Sequence, residues 1–505
     1  MDVPVGVLTC RRNERDCHER ELRRTKIIAT LGPASDNPVA MQRLLSAGVD
    51  IARINFSHGH AEEHRRRCAL VREAAQAIGQ EVAILGDLGG PKIRIEKFAE
   101  GRVELQSGQA FTLDCREDAP PGDEQGVGVS YLGLPADVSS GDTLLLDDGL
   151  MALRVERVDG PRIHTTVLTD GVLSNRKGLN KLGGGLSIGA LTQKDEDDIR
   201  LAAELGLDFV AVSFCRNAED MERTRALIAA AGGEAAVVAK IERAEAVENL
   251  AGIIDASDAV MVARGDLAVE IGDAELPGLQ KKIIREAVLR SRVVITATQM
   301  LQSMVDAPIP TRAEVLDVAN AVIDGTDAVM LSAESAVGRY PDRAVATMAR
   351  ICRGAERQFE PDPGFGAANG NLERTDQAIA MAAMFLAGRV HVRAIIALTE
   401  SGGTARWLSR YRTQVPIFAL SRNEGARRRM RMLRDVFPIE FQAPPGNPLL
   451  AARAAISRLH GLGLLSEGDR VIVTNGDHTG ELGGTNTLKL LRVGPGGIAE
   501  GLGDL

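Results

Sequence analysis

From Thr25 the chain settles into a rhythm of a short apolar run, a polar loop and an amphipathic stretch that closes on glycine. TKIIATLG reads as a strand. Asn37 followed by Pro38 then starts a helix, because the Asn side chain offers an acceptor to a free backbone N–H and the proline ring presets φ. Gly48 is placed to end that helix in a left-handed conformation. VDIARINFS is a second strand, a helix closing at Gly79 follows, and EVAILGD is a third strand. From Pro91 to Lys177 the rhythm gives way to strict alternation, as in RVELQSGQAFTLDC and DTLLLDDGLMALRVERV. Alternation broken by Gly-Asp turns predicts antiparallel strands covered on one face, hence an inserted β domain.

The rhythm then resumes with DFVAVSF, AAVVAKIE, DAVMVARGD, RVVITATQ and DAVMLSAE, and a capping box from Thr311 to Glu314 opens one of the intervening helices. Three strands before the insertion and five after it give the count of a closed (β/α)8 barrel. PDPGFGAANGN reads as a linker, and beyond it VRAIIALTE, VPIFALS, FPIEFQ and DRVIVTN alternate with helices in a second, open α/β domain. The expected division is an N-terminal arm (1–24), a barrel in two parts (25–90 and 179–360), the insertion (91–178), a linker (361–373) and the C-terminal domain (374–505).

Composition narrows the function. The 505 residues are 44% hydrophobic but only 3% aromatic, so the core must be aliphatic, as suits buried parallel strands. A net charge of -9 gives no general attraction for nucleic acid or an anionic membrane, so an anionic substrate needs a local cluster of cations. Cys10, Cys17, Cys68, Cys115, Cys215 and Cys352 are scattered and form no CxxC pair, the pattern of free thiols in a reducing compartment. The arginines from Arg11 to Arg24 surround no apolar stretch of signal-peptide length, and no run is long enough to span a bilayer. A soluble, cytoplasmic protein is expected.

In such a barrel the chemistry sits at the C-terminal ends of the strands. Arg53, Asn55 and Ser57 alternate along one strand and should share a face. Asp87 follows VAIL, Lys240 and Glu242 share a face in AKIE, and Arg264 with Asp266 close MVARGD. Thr298 ends ITAT, and Ser332 and Glu334 end VMLSAE. One or two carboxylates suffice for Mg²⁺, which keeps waters and takes substrate oxygens. Fixed cations beside them suit a transferring phosphoryl group. For any one pair, such as Lys240 and Glu242, a structural ion pair is the competing account; it is the weaker one for so many polar strand ends at one rim.

TKIIATLGPAS, ARINFSHG, VVAKIE, VARGDLAVE, ATQML, PTRAEVLDVANAV and DGTDAVMLSAES, with the KGLN return from the insertion and ALTESGGTARWLSRYR near the end, closely resemble the pyruvate kinases in order and spacing. The resemblance implies a TIM barrel with an inserted β-barrel lid domain and a C-terminal α/β regulatory domain, assembled as a homotetramer. It implies phosphoenolpyruvate and ADP as substrates, pyruvate and ATP as products, and Mg²⁺, or Mn²⁺ in its place, held by Glu242 and Asp266. Lys240 matches the lysine that stabilises the transferring phosphoryl group and the developing enolate. Arg53, Arg94 and Lys177 match cations that hold nucleotide phosphates, with Asn55 and His58 beside them. Thr298 matches the threonine next to the substrate carboxylate, where the backbone of Ala263, Arg264 and Gly265 also binds. Ser332 and Glu334 match a relay that supports protonation of the enol through water. Lys177, at the end of the insertion, implies that this domain closes as a lid and dries the site.

Two departures from the family pattern matter. Many members hold K⁺ with residues matching Asn55, Ser57, Asp87 and the Leu88 carbonyl, and carry Glu where this chain has Lys92. DLGGPKIRI stands here in place of DTKGPEIRT, so Leu88, Gly89, Lys92 and Ile95 all differ. A lysine ammonium is a compact cation on a flexible stem, so Lys92 is expected to act as a tethered cation and K⁺ not to be required. The loop Thr399, Ser401, Gly402, Gly403 and Thr404 resembles one that holds the phosphate of sugar-phosphate activators. The late loop NGDHTGELGGTN carries Asp477 and Glu481 without Arg or Lys, which disfavours a bisphosphate and leaves a sugar monophosphate.

Other features read as bland. His58, His60 and His64 are expected to be solvated or capping residues rather than a metal pair, and Cys10, Cys17 and His18 lack a fourth zinc ligand. The arginine run from Arg422 to Arg434 reads as one face of a surface helix, near an interface or effector site, and not as a nucleic-acid patch. The competing functional classes are another barrel enzyme acting on an enolate, which would not need Lys177 or the last domain, and a silent paralogue, which would need a lost catalytic residue.

Overall fold

The computed structural model describes residues 22–358, 372, 374–411, 413–444, 447–477 and 483–501. Cys10, Cys17, His18, most of the expected arm and linker, and Glu481 lie outside the described residues. Eight parallel strands, Lys26–Thr30, Ile51–Asn55, Ala83–Asp87, Phe209–Val212, Ala236–Ile241, Ala259–Ala263, Val293–Ala297 and Ala328–Leu331, close into a barrel with the first hydrogen-bonded to the eighth. They are buried on both faces, which is why they read as apolar runs rather than alternations. The helix caps follow the sequence: Asn37 Oδ1 accepts from the Ala40 amide at 2.9 Å, and Thr311 and Glu314 exchange side-chain and backbone bonds.

The insertion leaves after the third strand and is β-rich around its own apolar cluster, including Phe111, Leu144, Leu153 and Ile163. The strands of the implied small barrel fall into a six-stranded sheet and a two-stranded ladder, with isolated bridges such as Arg94 with Gly178 outside both. The sheet is not wholly antiparallel either, since Ala110–Asp114 pairs in parallel with Gly126–Gly128. The C-terminal domain has a six-stranded sheet in the order Val436–Glu440, Ile417–Ser421, Ala394–Leu398, Arg470–Gly476, Thr485–Val493 and Ala499–Glu500. Its first four strands are parallel and form the open α/β layer that the pattern indicates; the antiparallel strand Thr485–Val493 is an addition.

The barrel interior and the C-terminal domain share one apolar cluster, running from Ile28, Leu85 and Met261 to Ile395, Ile417 and Ile472. Around it lies a ring of ion pairs at the N-terminal ends of the barrel strands. Arg428 reaches Asp208 at 2.8 Å, Arg431 reaches Asp50 at 2.6 Å, Arg427 pairs with Glu81, and Arg410 pairs with Asp327. The arginine run is therefore no solvated face: its helix, Glu424–Met430, is docked on the barrel floor. Lys26 is fully buried there, donating to the Val436 carbonyl at 2.6 Å, and burial pushes its ammonium down to about 8. Burial alone would raise Asp50, but Arg23, Arg431 and Lys26 hold its carboxyl at about 2.

Asp327 also accepts from the amides of Val294 and Arg434, at 3.0 and 3.1 Å. Replacing Asp327 by Ala leaves the buried Arg410 guanidinium unpaired and should cost about 3–5 kcal/mol of stability. Urea unfolding followed through the single tryptophan, Trp407, reads this directly, and an unshifted midpoint would mean that the pair is dispensable.

Candidate active site

At the opposite end of the barrel the strand termini converge on one ionic cluster. Arg53, on the second strand, donates to Asp87 Oδ2 through Nε at 2.7 Å and to Thr30 Oγ1 at 2.9 Å. Asp87 ends the third strand and is 1% exposed. Lys240, on the fifth strand, donates to Ser213 Oγ at 2.7 Å and sits 2.9 Å from Glu242 Oε1 and 3.3 Å from Asp87 Oδ1. Asp87 Oδ1 is buried, and Lys240 is the cation beside it, so Asp87 and Glu242 share the ammonium.

The electrostatics fix the charge states that matter. Burial disfavours the Lys240 ammonium, yet Asp87 and Glu242 outweigh it and raise its pKa, so it stays cationic. Asp87 is held below its usual range against the cost of burial by Lys240 and Arg53. Glu242 moves the other way: burial, with the nearby Asp266 charge adding to it, pushes its carboxyl up against the pull of Lys240. Its Oε2 accepts from the Phe214 amide at 2.8 Å, which aims Oε1 at the lysine.

Asp266 lies in the first turn of the helix Arg264–Ile271, directly after the sixth strand. Two mutually repelling carboxylates, Glu242 and Asp266, suit a divalent cation. Among the described residues no group of three His, Cys, Asp or Glu side chains could hold one. That donor set fits Mg²⁺, which completes its shell with water and ligand oxygens, and does not fit a closed zinc site.

Most residues read as candidates meet here; some do not. Lys92 comes in from the root of the insertion, but its ion-pair partner is Asp266, at 3.0 Å, and not Asp87. The other groups of the expected monovalent-cation site are engaged: Asn55 Oδ1 accepts from the Ser57 amide at 3.1 Å, and the Leu88 carbonyl accepts from Ser213 at 2.8 Å. Ser57 falls in the turn beyond the strand Ile51–Asn55 and so does not continue its alternation. Arg94 and Lys177 bond within the insertion, to the Arg176 carbonyl at 2.8 Å and to Asp147 at 2.8 Å. Glu334 is fully buried, and its two oxygens accept from the amides of Ser332 and Leu301, tying the end of the eighth strand to the loop after the seventh. Thr298 stands just past the seventh strand with φ 74°.

His58 is exposed, but His64 is buried edge-on against Phe56, and burial pushes it down to about 4, so it is a neutral core residue rather than a solvated one. Ser213 and Thr30 were not singled out, although each is the polar residue at a strand end that marked the others.

In the C-terminal domain an open pocket of about 850 Å³, solvent at its mouth included, is lined by Thr399, Ser401, Gly403, Thr404, Arg422 and Asn475. Gly402 adopts φ 88°, and its amide donates to Thr399 Oγ1 at 3.0 Å, which shapes the loop. Asn475 is 3% exposed and its Oδ1 has no hydrogen-bond partner among the described residues.

Comparison with known proteins gives the same picture along most of the chain. The family model described as pyruvate kinase, barrel domain, matches residues 22–345, and that described as pyruvate kinase, alpha/beta domain, matches residues 377–491. Pyruvate kinase II of Salmonella typhimurium is 51% identical over 94% of this chain and 99% of its own length. The pyruvate kinase of Haemophilus influenzae is 48% identical over 90% of this chain and 96% of its own. A crystal structure of a pyruvate kinase from Cryptosporidium parvum superposes with a TM-score of 0.87 at 33% identity, covering 93% of this chain and 96% of that one. With both domain models matched in order, a rim of paired charges at the barrel mouth and half-identical relatives over nearly its whole length, the chain belongs to the pyruvate kinase family.

Proposed function

We propose that this enzyme transfers the phosphoryl group of phosphoenolpyruvate to ADP, the last step of glycolysis, using Mg²⁺ at Glu242 and Asp266 and needing no K⁺. The carrying observation is the buried Lys240 ammonium, held between Asp87 and Glu242 at the barrel mouth. Such a preorganised cation neutralises charge as it develops on the phosphoryl and enolate oxygens, without reorganising at the moment of reaction. Mg²⁺ or Mn²⁺, when bound, neutralises phosphoryl and enolate oxygens as a Lewis acid.

The other roles follow from position. The backbone N–H groups of Arg264 and Gly265, at the start of the helix Arg264–Ile271, with Ala263 and the Thr298 side chain alongside, would bind the substrate carboxylate. Arg53, Asn55 and His58 on the barrel, with Arg94 and Lys177 from the insertion, would take the nucleotide, and closing the insertion over the rim would exclude water. Ser332, whose backbone is fixed by Glu334, would serve the protonation of enolpyruvate through water.

Lys92 supports the reading without K⁺. It brings a fixed positive charge into the cluster through Asp266, while Asn55, Asp87 and the Leu88 carbonyl already have partners. The pocket around Thr399, Ser401, Gly402, Gly403 and Thr404 is offered as the site of a sugar monophosphate, with Arg422 at its edge. Exposed Leu316 and Ile323 on the helix Arg312–Asp324 are consistent with assembly into a homotetramer. Among the described residues no helix is long and apolar enough to cross a membrane, in keeping with the proposed cytoplasmic location.

Formation of ATP from phosphoenolpyruvate and ADP with Mg²⁺ should proceed at full rate in buffer free of K⁺ and NH₄⁺, and added K⁺ should leave it unchanged. Lys92→Glu should be slow without K⁺ and recover when K⁺ is added; a variant indifferent to K⁺ would remove the role given to Lys92. Lys240→Met should lower kcat by about 10²–10³-fold, the usual cost of one preorganised charge in a transition state. A steady-state assay showing a loss of less than tenfold would count against Lys240 as the phosphoryl-stabilising group.

A further inference from the structure

Thr298 and Gln299 both lie in the left-handed region, with φ of 74° and 54°. For a β-branched threonine this conformation is costly and persists only where its surroundings impose it. The seventh strand ends at Ala297, so the carbonyls of Ala297 and the half-buried Thr298 stand at the end of the ladder. The Arg264 side chain takes both. Its Nε donates to the Ala297 carbonyl at 3.0 Å and to the Thr298 carbonyl at 3.2 Å, while one Nη donates to Thr298 at 2.5 Å and meets the Met300 sulfur at 2.9 Å. The other Nη donates to Asp317 Oδ1 at 2.7 Å, on the helix Arg312–Asp324, and this ion pair orients the fork. The next residue closes the opposite side: a Cβ on Gly265 would stand 3.0 Å from Thr298 Cγ2.

We propose that Arg264, oriented by Asp317, is a positioning residue for Thr298, in a clamp that fixes the threonine hydroxyl at the rim. The inference rests on the role given to Thr298 above. The Arg264 guanidinium is taken up by the carbonyls of Ala297 and Thr298 and by Asp317, so it acts through Thr298 and not on substrate. Its planar fork is what allows one side chain to hold two successive carbonyls, a geometry that a lysine does not reproduce.

The test is a double-mutant cycle on kcat, with phosphoenolpyruvate, ADP and Mg²⁺. Arg264→Met should lower kcat by about 10²-fold, as expected for misplacing a reacting group by about an ångström, while KM for phosphoenolpyruvate changes only a few-fold. Asp317→Asn should give a smaller loss of the same kind, and Arg264→Lys should recover little. The pair Arg264→Met with Thr298→Ala should be no slower than the slower single variant. Losses that multiply would overturn the inference while leaving the role of Thr298 intact. An unimpaired Thr298→Ala would overturn both, because Arg264 would then have nothing to position. Thermal unfolding of each variant controls for folding, and if Arg264→Met does not fold, the cycle of Asp317→Asn with Thr298→Ala decides the question by the same criterion.

Discussion

The buried charge of Lys240 is the interaction on which the rest of the site depends. An ammonium removed from water at a barrel mouth is tolerated only if carboxylates surround it, and here Asp87 and Glu242 do so from the third strand and from just beyond the fifth. Those carboxylates in turn need fixing. Arg53 holds Asp87 from the second strand, and the Phe214 amide holds Glu242 from the turn after the fourth. Barrel closure therefore does more than bury aliphatic surface: it sets the spacing at which four consecutive strand ends can neutralise one another.

The two ends of the barrel use the same residue types for opposite purposes. On the floor Asp50, Glu81, Asp208 and Asp327 are each matched by an arginine of the C-terminal domain, and Asp327 also accepts from two main-chain amides. These pairs tie the barrel floor to the C-terminal domain as a structural junction. At the rim the charges are less evenly matched: Glu242 feels the nearby Asp266 carboxylate, and the lysines Lys240 and Lys92 are the cations paired with them. Polar groups left incompletely satisfied in a dry site cost stability, and they are where an incoming ion or substrate gains most.

The insertion is joined to this chemistry through Lys92. Its ammonium leaves the root of the inserted domain and meets Asp266 in the barrel, so the two domains share an ionic contact at the rim. Arg94 and Lys177, farther into the insertion, keep partners inside it. Of these three cations of the insertion, Lys92 alone is paired with the barrel.

The hydrophobic pattern by itself determined the eight strands, the point of insertion and the open parallel sheet that follows, because burial on both faces writes an apolar run and burial on one face writes an alternation. It also determined which residues stand at strand ends, and so Arg53, Asp87, Lys240, Glu242, Asp266 and Thr298. It missed Ser213 and Thr30, which carry the same mark, and it left the strand Thr485–Val493 unread because that strand's alternation is weak. What each long charged side chain does was decided only by the tertiary structure. The arginines from Arg427 to Arg431 look like a solvated face until a barrel floor of carboxylates is laid against them, Lys92 is a cation near the site until folding gives it Asp266, and Arg264 is one more polar strand end until its fork closes on Thr298. The physical reason is reach: a guanidinium or ammonium lies several bonds from its backbone, so local sequence fixes where the stem begins, while the partner at its tip comes from residues tens or hundreds of positions away.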